Sequence, residues 1–344
     1  MHRRDVLKIA GAAIVTTSSG LLSDAPGKRL SDDSPWMRLS DTMAGKRPAD
    51  APTTAMAEKK TRDYFHAEET TPARELIAEL RDHHQGLKRM IATANNESLH
   101  RRLTSAAGET AALAGWLLFD LARTDEAVKV YENAISAARE AGDPALEACV
   151  LGYWSYLAAS DDDSPGAVRM LVDASQRVRG ADPSTQAWIL ARLAEEEAAV
   201  GNASAALRAM DQAAVVFDYA TSESRPWTSF FGPNRFGSLA VSTYGRVAHR
   251  ETDQLASTLL SSLAPTENKV RALVLADLAQ SAVRGGNFDR VEELTAKAAP
   301  LATKTEATLA VDKLWEVVEM LPDHGSAGRT RQQLASRLAA SNAN

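Results

Sequence analysis

Apolar residues recur along most of this chain at the three- and four-residue spacings that are typical of amphipathic helices. In TTPARELIAELRDHHQGLKRMI, Leu76, Leu80 and Leu87 fall on one face, and Thr71 followed by Pro72 is typical of a helix N-terminus. The alternation of apolar and polar residues that marks a half-buried strand is nearly absent after residue 71. The pattern therefore predicts an all-helical body.

A second pattern concerns small residues and repeats over longer distances. In GWLLFDLARTDEAVKVYENA, Gly115 lies twelve residues before Ala127, while Tyr131 and Ala134 follow Ala127 by four and seven residues. Four later segments repeat this spacing, at intervals of 40, 39, 50 and 35 residues. Their equivalent positions are Ala167, Leu171 and Ala174; Ala206, Met210 and Ala213; Ala256, Leu260 and Leu263; and Val291, Thr295 and Ala298, where Thr295 departs from the pattern.

Paired helices explain this spacing mechanically. Two antiparallel helices approach closely only where side chains are small, so we expect small residues of the two helices to face each other. The long apolar residue one turn later then fills the joint with the next pair, and each hairpin buries the open face of its neighbour. The predicted fold is all-α, a right-handed superhelical array of helical hairpins.

Turn signals divide the body where such hairpins require it. The segments RTDE, SDDDSPG, GNAS and RGGNF fall between the helices of a pair, and AGDP and GADP fall at the ends of hairpins. Pro144 and Pro183 stop helical continuation there. We predict a helical-repeat domain over residues 62–340.

The N-terminal region has a different character. Residues 1–22 carry Arg3, Arg4 and a short apolar run, which fits a connecting helical segment or, alternatively, a twin-arginine export signal. Residues 23–61 are rich in Ser, Asp, Pro, Ala and Lys and have few large apolar side chains. Because such a composition buries little surface, we expect a flexible linker there.

Charge and cysteine content exclude several classes of function. The formal net charge is −6, and it is unevenly distributed. Residues 66–344 carry a net charge of −9, with 28 Lys and Arg against 37 Asp and Glu. An acidic body argues against a broad nucleic-acid surface. The single cysteine, Cys149, excludes an intrachain disulfide and fits a reducing compartment. No apolar run reaches the length of a membrane-spanning helix.

The repeated spacing resembles the tetratricopeptide repeat, lengthened by several residues. Over residues 87–143, the segments RRL, AGWLLFD and AAREAGDP resemble the C-terminal region of actinobacterial helix-turn-helix (XRE-type) transcriptional regulators. In that family a tetratricopeptide-like array follows a DNA-binding domain. The segments GNASAALRAMDQA and RPWTSFF agree with that family, and residues 3–12 are similar to the stretch that joins its two regions. These are packing motifs, so the resemblance implies a scaffold rather than an activity.

The DNA-binding domain of that family has no counterpart in the sequence. Residues 13–65 show neither paired amphipathic helices joined by a short turn nor a recognition helix. The chain is therefore either a separate version of the array or one whose DNA-binding segment lies upstream. We expect no direct nucleic-acid binding by these 344 residues.

Aromatic and charged residues at equivalent positions of the first helices are the candidate binding residues. In a repeat array the first helix of each hairpin lines the concave surface, where peptides dock. The aromatic rings also fit the alternative of packing between repeats, although aromatic and Arg side chains dominate binding hot spots. The predicted ligand-groove residues are Trp116, Tyr153, Tyr156, Trp188, Arg192, Glu195, Asp277 and Gln280. The segment RPWTSFFGPNRFGS interrupts the repeat, as an ordered cap or a ligand lid, and its candidate lid residues are Trp227, Phe230, Phe231, Asn234 and Arg235.

No motif predicts a catalytic residue, a metal site or a cofactor. His83 and His84 are adjacent on a helix and are expected to face solvent, since helical ligand pairs are spaced by four residues. Of the three carboxylates in AEEEAAV, Glu195 or Glu196 is expected to face the groove and the others to face water. The cluster in GRVAHRETD, from Arg246 to Asp253, is expected to be solvated charge.

These observations favour a non-enzymatic scaffold that binds a peptide or protein segment in its concave groove, in signalling or transcriptional regulation. A homodimer is a further candidate partner arrangement, and a cytoplasmic location fits best. The alternatives are an exported helical-repeat protein that uses Arg3 and Arg4 as a twin-arginine signal, and an enzyme built on the array without a recognisable motif.

Overall fold

The computed structural model describes residues 34–68, 71–220, 225–305 and 307–341. Within these ranges the chain forms fifteen α-helices and one short 3-10 turn, η1, and it forms no strand, which confirms the predicted all-α fold. The elements are α1 Pro35–Met43, α2 Ala51–Glu68, α3 Ala73–Thr93, α4 Glu97–Asp120, α5 Thr124–Ala141, α6 Pro144–Ser160, α7 Ser164–Arg177, α8 Pro183–Ala199, α9 Ala203–Phe217, η1 Pro226–Thr228, α10 Pro233–Arg246, α11 Thr252–Ser262, α12 Asn268–Arg284, α13 Phe288–Lys304, α14 Thr308–Met320 and α15 Gly325–Ser341.

Consecutive helices pair into hairpins, and the hairpins stack in chain order. The pairs α4–α5, α6–α7, α8–α9, α10–α11, α12–α13 and α14–α15 each pack together. The first helix of each pair also packs against the first helix of the next, so that α4, α6, α8, α10, α12 and α14 form one continuous layer. We call these six the inner helices. The structure is therefore a helical-repeat array, as the spacing predicts.

Turns within the hairpins share one backbone feature. Ala122, Asp162, Gly201 and Gly286 have positive φ angles of 55°, 61°, 83° and 69°, and each lies two residues before the second helix of its hairpin. This left-handed conformation reverses the chain in the segments that the sequence marks as turns. Glycine adopts it without strain, whereas alanine and aspartate do so at a cost.

Hairpin ends are set by caps. Pro144 and Pro183 occupy the first positions of α6 and α8, where a missing N–H costs nothing. The side chain of Asp143 accepts a hydrogen bond from the Leu146 N–H at 3.1 Å, which caps the N-terminus of α6. These prolines therefore start new helices at the predicted hairpin boundaries.

The joints within and between hairpins are packed around small residues. Ala127, Ala134 and their equivalents at 167, 174, 206, 213, 256 and 298 are fully buried. The partner of Gly115 differs from the expectation: a Cβ at this position would overlap the Tyr131 ring, so the glycine receives an aromatic side chain rather than a small one. The Tyr131 ring also stacks on Trp154 of the next hairpin, with centroids 5.9 Å apart, as expected for a residue that fills that joint.

The predicted flexible linker, residues 23–61, is wrong over its described part. α1 and most of α2 lie inside it and pack against α3 and α4. Their contacts use small side chains, since Thr54 and Ala57 are fully buried, and Glu58 forms an ion pair with Arg102. Because most of the buried residues here are alanine and threonine, a prediction based on large apolar side chains does not recognise the segment as ordered. The predicted segment 1–22, with Arg3 and Arg4, lies outside the described residues.

Candidate functional site

The eight predicted groove residues all lie on the inner helices. Trp116 is on α4, Tyr153 and Tyr156 are on α6, and the remaining five lie on α8 and α12. The prediction assigned no groove residue to α10 or α14. The structure adds Ser242 and Arg246 from α10 and Lys313 and Glu316 from α14. We call the surface that these residues form the inner surface.

Aromatic rings form a continuous row along the first half of the inner surface. The Trp116 centroid lies 5.5 Å from that of Phe119 and 5.4 Å from that of Tyr153. Tyr153 lies 5.2 Å from Trp188, which in turn meets Phe230 edge-on at 5.5 Å. These distances are those of favourable aromatic pairs. We call these five residues the aromatic row; only its α4 end, at Trp116, and Phe230 are half-buried.

A cation stacks beside this row. The guanidinium of Arg192 lies 3.9 Å from the centroid of the Tyr156 ring, which is the geometry of a cation–π contact. The Tyr156 ring also packs edge-on against Trp116, and its hydroxyl accepts a long hydrogen bond from Arg235 at 3.5 Å. Tyr156 therefore joins the aromatic row to the charged part of the inner surface.

The second half of the inner surface is a network of buried charges. Arg192 forms ion pairs with Glu195 at 2.7 Å and with Glu196 at 2.5 Å. The ammonium of Lys313 donates to Glu195 at 2.8 Å, to Asp277 at 2.6 Å and to the Ser242 hydroxyl at 3.0 Å. One lysine on α14 thus connects α8, α10 and α12. We call Arg192, Glu195, Glu196, Asp277 and Lys313 the inner charge network.

The pKa values in this network follow from burial and pairing. Burial alone would raise the pKa of the Glu195 carboxyl, but Lys313 and Arg192 hold it well below its usual range. Burial raises the pKa of the Asp277 carboxyl, and the Lys313 ammonium offsets only part of that rise. The pKa of Lys313 is raised despite burial, because Asp277 and Glu195 stabilise its charge. The lysine is thus a positive charge that both carboxylates share.

Gln280 and Arg246 extend the network toward the C-terminal end. The Gln280 amide donates to the Glu316 carboxylate at 2.8 Å and to the Lys313 carbonyl at 3.2 Å. Arg246 forms an ion pair with Glu316 at 3.3 Å, and its side chain is 17% exposed. The expectation that Arg246 belongs to a solvated cluster is therefore wrong, whereas Asp253 forms a surface pair with Arg290.

Burial changes how the predicted groove has to be understood. Seven of its eight residues are less than 9% exposed, and Trp188 and Gln280 are at 0% and 1%. Trp116 alone is half-buried, and its indole N–H donates to Glu68 at 3.3 Å. The inner surface is filled by its own side chains in this conformation. The role of these residues as ligand contacts stays a prediction.

The predicted lid is an ordered segment that follows α9, lies across the inner surface and includes the first turn of α10. We call residues 225–236 the crossing segment. Its turn η1 lies against α2 and α8, and Trp227 is fully buried, with its indole N–H donating to the Thr185 hydroxyl at 2.9 Å. Asn234 donates to Glu267 at 2.6 Å. This packing is that of an ordered cap, while a part in ligand recognition stays a prediction.

The array curls far enough for α14 to approach α4. The Thr308 hydroxyl, at the start of α14, donates to the Asp120 carboxylate at the end of α4. Burial, and secondarily the charge of Glu68, raises the pKa of the Asp120 carboxyl to about 7. Burial also raises the pKa of Asp312, on α14, to about 6. The two ends of the inner layer thus meet through acidic side chains that are easily protonated.

Two further expectations about titratable residues are corrected. His83 is buried rather than solvent-facing: its Nε2 lies 2.9 Å from the Thr61 hydroxyl, and burial lowers its pKa to about 3. Glu195 and Glu196 are both buried, instead of one of them, because Arg192 pairs with each. The sequence spacing could have suggested that Arg192 pairs with both glutamates, since it precedes them by three and four residues.

Two kinds of site are not found in the described part of the chain. No group of three or more His, Cys, Asp or Glu side chains in residues 34–341, apart from the gaps, has an arrangement that could hold a metal ion. No helix in the same ranges combines the length and the apolar character needed to cross a membrane.

Comparison with known proteins does not assign this arrangement to a family. The scan against protein-family models finds no match, and the search of curated proteins finds none either. The functional argument therefore rests on the inner surface: an aromatic row, a stacked arginine and a buried charge network, with one ordered segment lying across them.

Proposed function

We propose that this chain is a non-enzymatic recognition scaffold that binds a peptide or protein segment along its inner surface. The observation that carries the proposal is the aromatic row with Arg192 stacked on Tyr156. Aromatic and arginine side chains supply most of the binding energy at protein interfaces. Here they lie on the inner helices, which in repeat arrays line the concave side that extended ligands use.

Polar atoms along α8 support the same proposal. Trp188 Nε1, Arg192 Nε and Glu196 Oε2 are buried and make no hydrogen bond to protein. They belong to residues four positions apart on one helix, so they follow each other at about 6 Å, one helical turn. An extended peptide repeats its backbone groups about every 7 Å, which is two residues. Opening the inner surface would present this row to a peptide backbone, because each of these groups still has a hydrogen bond to make.

A selection experiment tests this function. A random library of 12-residue peptides is displayed on phage and selected on the full chain, and enriched peptides are measured by isothermal titration. Trp116→Ala removes the accessible end of the aromatic row, and we expect at least a tenfold loss of affinity. Val215→Ala, at a 62% exposed position of the outer helix α9, serves as the control and should leave affinity unchanged.

Either of two results would overturn the proposal. One is that no peptide is enriched over a library selected on an unrelated helical protein. The other is that enriched peptides bind Trp116→Ala and Val215→Ala equally well. Trp116 suits this purpose better than Trp188 or Arg192, because those side chains are fully enclosed and their removal would lower the free energy of unfolding.

The biological context of this binding follows only from the resemblance stated above. It places the scaffold in the cytoplasm, in signalling or transcriptional regulation, with a peptide or protein partner or a second copy. The exported alternative makes a different prediction, a mature N-terminus near residue 26 in protein recovered outside the cytoplasm. N-terminal sequencing of protein from each cell fraction separates the two.

A further inference from the structure

The crossing segment behaves differently from the rest of the array. Repeats start 40 and 39 residues apart before it, and the interval that contains it is 50 residues. In a repeat array each hairpin contacts only its neighbours. Here η1 lies against α2 and α8, whose first residues are 132 positions apart in the chain (51 and 183). The segment therefore contacts parts of the fold that are far from it in the chain, namely α2 and, through Arg225, Asp143 at the start of α6.

Its first anchor is a charge pair. The guanidinium of Arg225 donates two hydrogen bonds to the carboxylate of Asp143, at 2.9 and 3.3 Å. Glu109, which interacts electrostatically with Arg225, does not add a second negative charge, because burial raises the pKa of its carboxyl to about 8. Asp143 thus receives a planar cation in the bidentate geometry that carboxylates favour.

Its second anchor is aromatic. The Trp227 indole is fully buried, and its N–H is satisfied by the Thr185 hydroxyl at 2.9 Å. Phe230 completes the aromatic row by meeting Trp188 edge-on at 5.5 Å. An arginine, a tryptophan two positions later and a phenylalanine five positions after the arginine thus occupy three separate places on the inner helices and their caps.

The charged anchor is open to solvent. The Arg225 side chain is 39% exposed, whereas Trp227 is fully buried. A cavity of 260 Å³ borders the pair, lined among others by Arg102, Ser105, Asp143, Pro144, Ala181 and Arg225. A competing guanidinium could reach Asp143 through this cavity before the aromatic side chains move.

We propose that the crossing segment is an intramolecular occupant of the inner surface, which yields to a partner protein segment of the same chemistry. That partner presents an arginine, an aromatic residue two positions later and a phenylalanine three positions after that. Asp143 selects the cation, and Thr185 and Trp188 receive the rings. This inference rests on the proposed function and names the class of ligand that the inner surface recognises.

A peptide copied from the segment provides the probe. Fluorescein-labelled RPWTSFF, amidated at its C-terminus, is titrated into the full chain and into the full-length double variant Trp227→Ala/Phe230→Ala. We expect at least tenfold tighter binding to the double variant, since the intact segment competes at an effective concentration in the millimolar range. The matched control is Val215→Ala/Tyr219→Ala, at two exposed positions in the last turn of α9 and just after its end, which should bind like the wild type.

Two comparison peptides test the chemistry. In the first, glutamine replaces the arginine, and we expect at least fivefold weaker binding to the double variant because Asp143 loses its cation. The second is a scrambled peptide of the same composition, which should not bind. Equal affinity for the copied and scrambled peptides would overturn the inference.

A measurement on the wild-type chain covers the case in which the double variant does not fold. Hydrogen exchange is followed with and without 1 mM unlabelled peptide, and we expect faster exchange of the amides in residues 227–231 as the intramolecular segment is displaced. Unchanged exchange overturns the inference, as does a folded double variant that fails to bind the peptide. If library peptides of other sequences still bind, the proposed function stands and only the ligand class is wrong; if none binds, both fail.

Discussion

Replacing Lys313 with methionine removes a cation that joins four inner helices. Lys313 donates to Glu195 on α8, Ser242 on α10 and Asp277 on α12, and its side chain is only 12% exposed. Methionine keeps most of the side-chain volume, so the change tests charge rather than packing. Breaking a buried ion pair by removing one partner costs about 3–5 kcal/mol, because the remaining charge is left unpaired in the interior.

The structure places the expected loss at the lower end of this range. Glu195 keeps its ion pair with Arg192 and its hydrogen bond from Ser242, whereas Asp277 loses its ion pair with the Lys313 ammonium. We therefore expect Lys313→Met to lower the free energy of unfolding by about 3 kcal/mol at pH 7. Urea unfolding followed by circular dichroism at 222 nm measures it, with Lys297→Met, an exposed i,i+4 pair on α13, as the matched control.

The pH dependence and a double-mutant cycle identify the cause. The pKa of Asp277 is already raised by burial, and loss of the ammonium raises it further. A carboxyl whose folded pKa is above its unfolded value of 3.8 loses stability as pH rises, so the deficit should be smaller at pH 5 than at pH 8. In an Asp277→Asn background the Lys313→Met loss should shrink by more than 1 kcal/mol. A loss no larger than that of Lys297→Met, or additive losses in the cycle, would refute this account.

Two other predictions concern a turn and a buried acid. Ala122 has φ 55°, so Ala122→Gly should raise the free energy of unfolding by about 0.5–1 kcal/mol, whereas Gly201→Ala, at φ 83° in the equivalent turn, should lower it by about 1 kcal/mol; urea unfolding that gives both changes the same sign contradicts this. Burial raises the folded pKa of Glu109 from 4.5 to about 8, so its protonated form favours folding and stability should fall as pH rises through that interval. Thermal unfolding between pH 5 and pH 8 should show a flatter slope for Glu109→Gln, and identical slopes would disprove the assignment.

Features that depend on neighbouring residues were predictable from the sequence. The four turn segments, the buried alanines at 127 and 134, and the start of α6 at Pro144 each follow from local rules about φ angles, helix ends and side-chain size. The placement of Trp116 and Trp188 on inner helices follows as well, because the first helix of a hairpin keeps its position in every repeat.

Other features depend on partners that are distant in sequence. Thr54 and Ala57 are buried because α3 and α4 cover them, and composition alone gives such a segment no reason to be ordered. His83 is buried because Thr61, 22 residues earlier, supplies a hydroxyl at 2.9 Å. A side chain of this kind satisfies its polar atom only after the fold has formed, so periodicity cannot distinguish it from a solvent-facing residue.

Curvature is the property that decides whether the inner surface is open, and it accumulates from small rotations between successive hairpins. In this structure these rotations bring the Lys313 ammonium within 2.8 Å of the Glu195 carboxylate, although the two residues are 118 positions apart in the chain. This long-range contact is made by charges, and buried charges stabilise a fold only while each keeps its partner. The residues that fill the inner surface are therefore also those through which a ligand could change its curvature.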